Sequence, residues 1–410
     1  MDDLKCKSCG YEGLNRFLEL GDIPPVNAFI HPEEIENEKA YPLNLAYCPH
    51  CLLVQLEQIV PPEELFRNYL HLSAGSQTNI NHLKEVADYL AAAFNLNSSA
   101  KILEIGSNDG TLLEFLKKYT PNIVGVDPAR NLIQLNEEKG VDYIPEFFNT
   151  STASHIAKTR GKFDFVIALN VIPHTPNNID LLKATRIVLK DSGVLVMEGV
   201  YALETILNGE FDTIYHEHVY TFSLHSLAST FRMAGLKIVN VEKIPTQGGS
   251  LRVYAMKDEH ARPASDAVAR LLKEENEMGL VNSSIYDSVG SKVEKYRADL
   301  RKVIEEEKSR NGKLIGLGAP ARGVVIMNYC GITKEDIEYI VDDTSLKQGK
   351  LTPGVHIPVR PIDALKSEKD RTFILLSWNY KDSFVNRLKT MFKRFRLITP
   401  FPKLEVVSFG

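Results

Sequence analysis

Residues 214 to 220 read Ile-Tyr-His-Glu-His-Val-Tyr, which puts five titratable side chains, Tyr215, His216, Glu217, His218 and Tyr220, into six consecutive positions. Two phenols, two imidazoles and a carboxylate at this density point to proton chemistry. An imidazole changes charge near neutral pH, so it can take a proton from a substrate and return it. A polar loop whose rings pack and whose histidines satisfy backbone groups would leave the same trace. The rest of the chain has to decide between the two.

A second constellation is made of sulfur. Of five cysteines, four fall in two pairs, Cys6-Lys7-Ser8-Cys9 and Cys48-Pro49-His50-Cys51. Two such knuckles offer four thiolates, the donor set of a closed tetrahedral Zn²⁺ site. Unrelated free thiols and a redox pair are the other readings of this spacing. Structural disulfides are disfavoured in a reducing compartment. Four sulfurs leave no open coordination position, so zinc here is expected to hold structure and not to touch substrate. Cys330 stands apart and reads as a core or surface thiol.

These groups need a scaffold, and the chain spells one out. Ile80, Leu83, Val86, Ala87, Leu90 and Phe94 recur at helical spacing. Then Lys101-Ile102-Leu103-Glu104-Ile105-Gly106-Ser107-Asn108-Asp109-Gly110 reads as strand and glycine turn, followed by a periodic Thr111–Lys118. A second strand, 122–126, ends on Asp127, about twenty residues past the turn, which is the layout of nucleoside recognition on a doubly wound sheet. Glycines admit the backbone to the ligand, and the carboxylate accepts hydrogen bonds from ribose hydroxyls. Further strands are expected at 163–169, 193–198, 236–241 and 250–256, with Asn170 at the end of the first of these. From about 258 to 312 the chain is charged and helix-prone, and Glu274, Glu275, Glu277, Glu294, Glu305, Glu306 and Glu307 read as solvated faces of two joining helices. A second strand–glycine–helix unit, Leu314-Ile315-Gly316-Leu317-Gly318-Ala319-Pro320-Ala321-Arg322, opens a smaller α/β sheet. That glycine turn and Arg322 either hold a diphosphate or simply pack.

With 410 residues the chain is too long for one core, so two or three domains are expected. A net charge of −5 argues against nucleic acid or an anionic membrane as the main partner, and no apolar run is long enough to span a bilayer. The opening Met1-Asp2-Asp3-Leu4-Lys5-Cys6 lacks the apolar segment of a signal peptide, so the cytoplasm is the expected compartment.

The run Glu104-x-Gly106-x-x-x-Gly110 is not the dinucleotide fingerprint; it resembles the first motif of class I S-adenosylmethionine-dependent methyltransferases. Over essentially all 410 residues the chain resembles the bacterial C-methyltransferases that act on nucleotide-linked deoxysugars. The resemblance is carried by the paired cysteine knuckles, by Glu104–Gly110, by Phe211-Asp212-Thr213-Ile214-Tyr215-His216-Glu217-His218, by Gln247-Gly248-Gly249-Ser250-Leu251-Arg252 and by Gly316-Leu317-Gly318-Ala319. It implies an α/β protein: a class I methyltransferase sheet with an N-terminal zinc-binding domain (1–75), the methyltransferase domain itself (76–257), and a helical linker with a C-terminal Rossmann-like domain (258–410). It also implies S-adenosylmethionine, structural zinc, and a dTDP-4-keto-deoxysugar methylated at C3, with the oligomeric state left open. His218 matches the general base, Glu217 a residue that orients or tunes it, and Tyr215, Tyr69 and His174 other polar groups of the site. Glu104, Gly106, Asn108, Gly110, Asp127 and Asn170 match the cofactor site, and Asn27, Gly316, Gly318 and Arg322 the substrate side. Asn27 reads equally well as an ordinary turn residue. Pro173 stands where a small residue is expected and could re-aim His174; Arg322 stands where lysine is frequent, and the two do not hold phosphate identically. An O- or N-methyltransferase, or a non-catalytic nucleotide-binding module, are the competing functions.

Overall fold

The computed structural model describes residues 5–67, 72–246, 249–367 and 371–410. Tyr69, Gln247 and Gly248 lie outside the described residues. Among those described, the strands form three sheets. The first is antiparallel and begins with β1 (Asn15–Ile23), β2 (Tyr41–Tyr47) and β3 (Val54–Leu56).

The second sheet takes β4 (Lys101–Ile105), β5 (Asn122–Val126), β6 (Asp142–Ile144), β7 (Phe163–Leu169) and β8 (Leu189–Val200). It skips β9 (Tyr220–Thr221) and adds β10 (Leu236–Ile244) and β11 (Ser250–Lys257), in the order β10-β11-β8-β7-β4-β5-β6. Only β11 runs against its neighbours, and it lies one strand in from the edge. Ile102, Leu103 and Ile105 of β4 are all buried, as expected of a parallel strand covered on both faces. One cover is the helix Gln77–Ala93, capped by Ser76 and burying Leu83, Val86, Ala87, Leu90 and Ala91.

The third sheet takes β12 (Leu314–Leu317), β13 (Ile337–Val341), β14 (Val359–Arg360), β15 (Thr372–Leu375), β16 (Phe395–Thr399) and β17 (Glu405–Phe409), parallel except for β17.

The skipped strand matters most for function. Two residues after His218, β9 leaves the central unit and pairs with β3 of the first sheet, Val54 opposite Thr221 and Gln55 opposite Tyr220. The Leu56 N–H also donates to the Val219 carbonyl at 2.9 Å. The His-Glu-His stretch is therefore spliced into the cysteine-bearing unit.

Two helices, Asp266–Glu277 and Ser284–Asn311, connect the second and third sheets, and their faces correct the expectation of solvation. Glu275 and Glu307 are buried, while Glu277, Glu294, Glu305 and Glu306 are exposed. Glu275 accepts from the Leu224 and His225 N–H groups, from the Tyr201 hydroxyl and from His225 Nδ1 at 2.5–3.0 Å, so it caps the start of the helix Leu224–Met233 from outside. A carboxylate there meets orphan donors and the positive end of the helix. Glu307 takes two hydrogen bonds from Arg396, at 2.6 and 2.7 Å. Tyr286 of the longer helix stacks on Tyr47 of β2, with ring centroids 4.0 Å apart. No helix among the described residues is long and apolar enough to cross a membrane.

Candidate active site

The three units enclose one cavity of about 1270 Å³. Its walls include Glu104, Gly106, Asn108, Asp127 and Asn170 from the central sheet, and His174, Tyr215, Glu217 and His218 beside them. Asn27 reaches in from the N-terminal unit, and Gly318 and Arg322 from the C-terminal one. Gly110 and Gly316 do not line it. A Cβ on Gly110 would stand 2.5 Å from Asn136 Oδ1, and one on Gly316 2.7 Å from Ile340 Cγ1, so these two glycines serve close packing.

His218 is held in one orientation. Its Nδ1 lies 2.6 Å from the Thr213 carbonyl oxygen, which can only accept, so Nδ1 carries the proton and Nε2 the lone pair. Nε2 has no hydrogen-bond partner among the described residues. Burial, the neighbouring His174 ring and the Arg322 cation hold the imidazole well below its ordinary 6.5, although the Thr213 bond works the other way. It is thus neutral and able to accept a proton at neutral pH. The His174 ring stands edge-on at 4.8 Å and the Tyr215 ring lies 3.9 Å away. Pro173 lies in the short turn Ile172–His174 and leaves His174 facing the cavity. Burial and the Glu217 carboxylate raise the Tyr215 phenol, so it remains a neutral donor.

Two neighbours of His218 point elsewhere, and for Glu217 this differs from the sequence expectation. Glu217 does not orient the imidazole through Nδ1; that bond belongs to Thr213. Glu217 instead accepts from Asn27 Nδ2 at 2.6 Å, and so ties the loop to the N-terminal unit. Asn27 is a partner of Glu217 as well as a cavity residue. His216 turns away and lies 3.1 Å, through Nε2, from the Tyr41 carbonyl; it is a packed histidine.

At the glycine turn, Gly106, Asn108 and Gly110 all have left-handed φ, at 68°, 50° and 74°. A Cβ on Gly106 would meet Val171 Cγ2 at 2.4 Å, so only glycine allows this turn its close approach. Asp127 accepts from the Asn108 and Ala129 N–H groups at 3.0 and 2.9 Å, which fixes its carboxylate at the end of β5. Glu104 is buried on β4; desolvation and the nearby Asp109 and Asp127 raise its carboxyl well above the usual range, and Oε2 has no partner. A buried acceptor with nothing to accept from is suited to a ligand ammonium.

The four cysteines converge. Their sulfurs all lie within 4.8 Å of one another, with Cys6 to Cys51 at 3.5 Å and Cys9 to Cys48 at 3.6 Å. A tetrahedron with Zn–S bonds of about 2.3 Å has sulfurs ~3.8 Å apart, so the donor set fits.

Comparison with known proteins places this architecture. The family model described as "Putative zinc binding domain" matches residues 6–66, "Methyltransferase domain" matches 78–241, and "C-methyltransferase C-terminal domain" matches 245–402. The C-methyltransferase NovU of Streptomyces niveus is 30% identical over 409 residues, which is 98% of this chain and 97% of that one. The chain belongs to the C-methyltransferase family. Ubiquinone biosynthesis O-methyltransferase of Actinobacillus pleuropneumoniae is 28% identical over 123 residues, 28% of this chain and 51% of that one. The solved structure of magnesium protoporphyrin IX methyltransferase from Synechocystis, with bound SAH, covers 43% of this chain and 83% of its own at 14% identity and a TM-score of 0.35.

This C-methyltransferase uses S-adenosylmethionine, and the cavity residues fit it. Glu104 would offer its unpartnered oxygen to the amino group, Asp127 its carboxylate to the ribose, and the left-handed turn at Gly106 its backbone. The chain also carries site residues that the sequence did not single out. Lys347 lines the cavity wall, donates to the Ala319 carbonyl at 2.9 Å and sits 5.0 Å over the Phe29 ring. Burial lowers its ammonium from the ordinary 10.5. It follows β13 in a turn without periodic pattern, so no local signal marks it. His82, which also lines the cavity, lies 2.7 Å from the buried Glu198, and its face of the helix Gln77–Ala93 read only as apolar.

Proposed function

We propose that this C-methyltransferase methylates the carbon beside the ketone, C3, of a nucleotide-linked 4-keto-deoxysugar, with His218 as general base. The observation that carries the reading is the orientation of His218: a neutral imidazole, its Nδ1 tied to the Thr213 carbonyl, on a cavity that also holds the Glu104–Asp127 end and Arg322. The hydrogen beside a carbonyl is the most acidic carbon-bound one on such a sugar. Nε2 of His218 takes that proton, and the electron pair moves into the enolate. Tyr215 and His174 stand within ring contact of the base, where a phenol hydroxyl or an imidazole N–H would stabilise the developing oxygen charge. Tyr69 is assigned to the same group from its match to the family alone. S-adenosylmethionine, when bound, supplies the electrophilic methyl group. Glu104, Gly106, Asn108, Asp127 and Asn170 would hold that cofactor and orient it for transfer. Arg322 and Lys347 also line the cavity and provide cations for a diphosphate, while Gly318, whose N–H goes to the Val341 carbonyl at 2.8 Å and whose Cβ would stand 1.9 Å from Ser377 Oγ, gives that wall its close packing. Asn27 acts through Glu217 as much as on the substrate.

The test is methyl transfer to matched substrates. The enzyme should methylate a nucleotide-linked 4-keto-deoxysugar on carbon, as read by mass and by NMR. It should be poorly active on the free sugar and inactive on the 4-hydroxy analogue. Equal transfer to the 4-hydroxy analogue, or a methyl found on oxygen, would overturn the reading.

A further inference from the structure

Asp212 is a fully buried acid for which the mechanism above has no use. It lies in the short turn Phe211–Thr213. Its Oδ2 accepts from Trp378 Nε1 at 2.7 Å and stands 4.0 Å from Arg322 Nη1, while Oδ1 has no partner. Both grips come from the C-terminal unit. Trp378 follows β15, Arg322 lies in the first turn of the helix Ala321–Cys330, and the guanidinium lies 5.1 Å over the indole. The next residue along, Thr213, supplies the carbonyl that accepts the hydrogen bond from Nδ1–H of His218.

A buried carboxylate is a costly way to dock two units, and docking at this point is already served by Phe211. Its ring meets Tyr296, Tyr329 and Phe401 edge-on at centroid distances of 5.6, 5.0 and 5.7 Å. An asparagine at 212 would accept from Trp378 equally well. What asparagine lacks is charge, which burial opposes by raising the Asp212 carboxyl and which Arg322 and the Trp378 N–H favour, and the charge has a target. Among the described residues, His174 and Tyr215 are in ring contact with His218, Arg322 acts on it as a fixed positive charge from the same cavity wall, and Glu217, Asp212 and Arg322 all act on the adjoining Tyr215.

We propose that Asp212 is a positioning residue for the base: through Thr213 it fixes the imidazole, and by pairing with Arg322 it shields that ring from the cation. The C-terminal unit thereby sets the orientation and the proton affinity of a histidine carried by another unit. This rests on the reading of His218 as base. It adds that an anion paired with Arg322 in the cavity relieves the same field, so the base strengthens when substrate arrives.

The test uses the zinc-loaded full chain without substrate, with ¹⁵N-labelled histidine followed by NMR. Wild type should show His218 as a single Nδ1–H tautomer. Asp212→Asn keeps the shape and the acceptor, and should lower the His218 titration midpoint by about one pH unit, the usual effect of a nearby charge. Its kcat should fall, by up to about tenfold, the full worth of that unit of proton affinity, with KM changed less than about twofold. Trp378→Phe keeps the ring but removes the donor, and should produce a mixture of tautomers. If Asp212→Asn does not fold, Arg322→Gln replaces it and should raise the midpoint. A wild-type midpoint in the folded Asp212→Asn variant, or no rise in Arg322→Gln, overturns the proposal and leaves Asp212 as a clamp. These signals are read without substrate, so a wrong substrate cannot mimic that failure. A His218→Asn variant that still methylates would instead sink the base itself.

Discussion

Asn27→Ala removes one hydrogen bond whose setting defines its size. Asn27 Nδ2 donates to Glu217 Oε1 at 2.6 Å, and Glu217 is 3% exposed, so water cannot replace the lost donor freely. A hydrogen bond to a charged group contributes about 1.5–3 kcal/mol. Lys347 also lies near Glu217, which favours the low end of that range. At about 1.4 kcal/mol per tenfold, kcat/KM should fall roughly 10- to 30-fold if the bond acts on the site. Asn27→Asp sets an acceptor where the donor was and brings two carboxylates together. Its loss should exceed that of the alanine variant. Steady-state kinetics with saturating S-adenosylmethionine measures both. If both variants stay within about twofold of wild type and do not differ, Asn27 is only a turn residue and the link between the N-terminal unit and the loop carries nothing.

Further perturbations separate the parts of the site. The imidazole of His218 is depressed below 6.5, so kcat/KM should stay flat as pH falls to about 6.5 and decline only below it; a decline already complete above pH 7 would contradict this. The sign for stability follows: the unfolded chain binds this proton first, so between the depressed value and 6.5 stability rises with pH. Cys48→Ser, or zinc removal by a chelator, should lower metal content and Tm, and should speed hydrogen exchange at 219–221, because β9 pairs with β3 of the same unit. Unchanged exchange there would show the sheet holds without metal. Gly106→Ala should weaken S-adenosylmethionine binding at least about tenfold in calorimetry, since a left-handed φ of 68° alone costs about 1–2 kcal/mol and Val171 blocks the Cβ. Gly316→Ala should lower Tm through its clash with Ile340 and leave that affinity unchanged.

What could be read from the sequence had a local cause. Apolar period and glycine spacing encode β4, the turn at Gly106 and the acid after β5, and paired cysteines encode a sulfur cluster, because each signal is contained in a few neighbouring residues. What could not be read depends on contacts distant in sequence. Two residues, Tyr220 and Thr221, have no strand pattern, so their place in the first sheet was invisible. Thr213 orients His218 through a backbone carbonyl, which any residue type would supply, so the side-chain pattern points to Glu217 instead. Glu275 and Glu307 sit in charged helical runs that look solvated; only a helix start and an arginine arriving from elsewhere reveal why they are buried. Trp378 and Lys347 follow strands of the third sheet, and nothing nearby says that they turn toward the second.

The central claim, that Nε2 of His218 removes a hydrogen from carbon beside a ketone, has a direct measurement. Wild-type enzyme with a nucleotide-linked 4-keto-deoxysugar in D₂O, without methyl donor, should exchange the C3 hydrogen, followed by proton NMR. His218→Asn should bind the same substrate, exchange none, and lose about 10²–10⁴-fold in methyl transfer when donor is added. Exchange at wild-type rate in the variant would contradict the account.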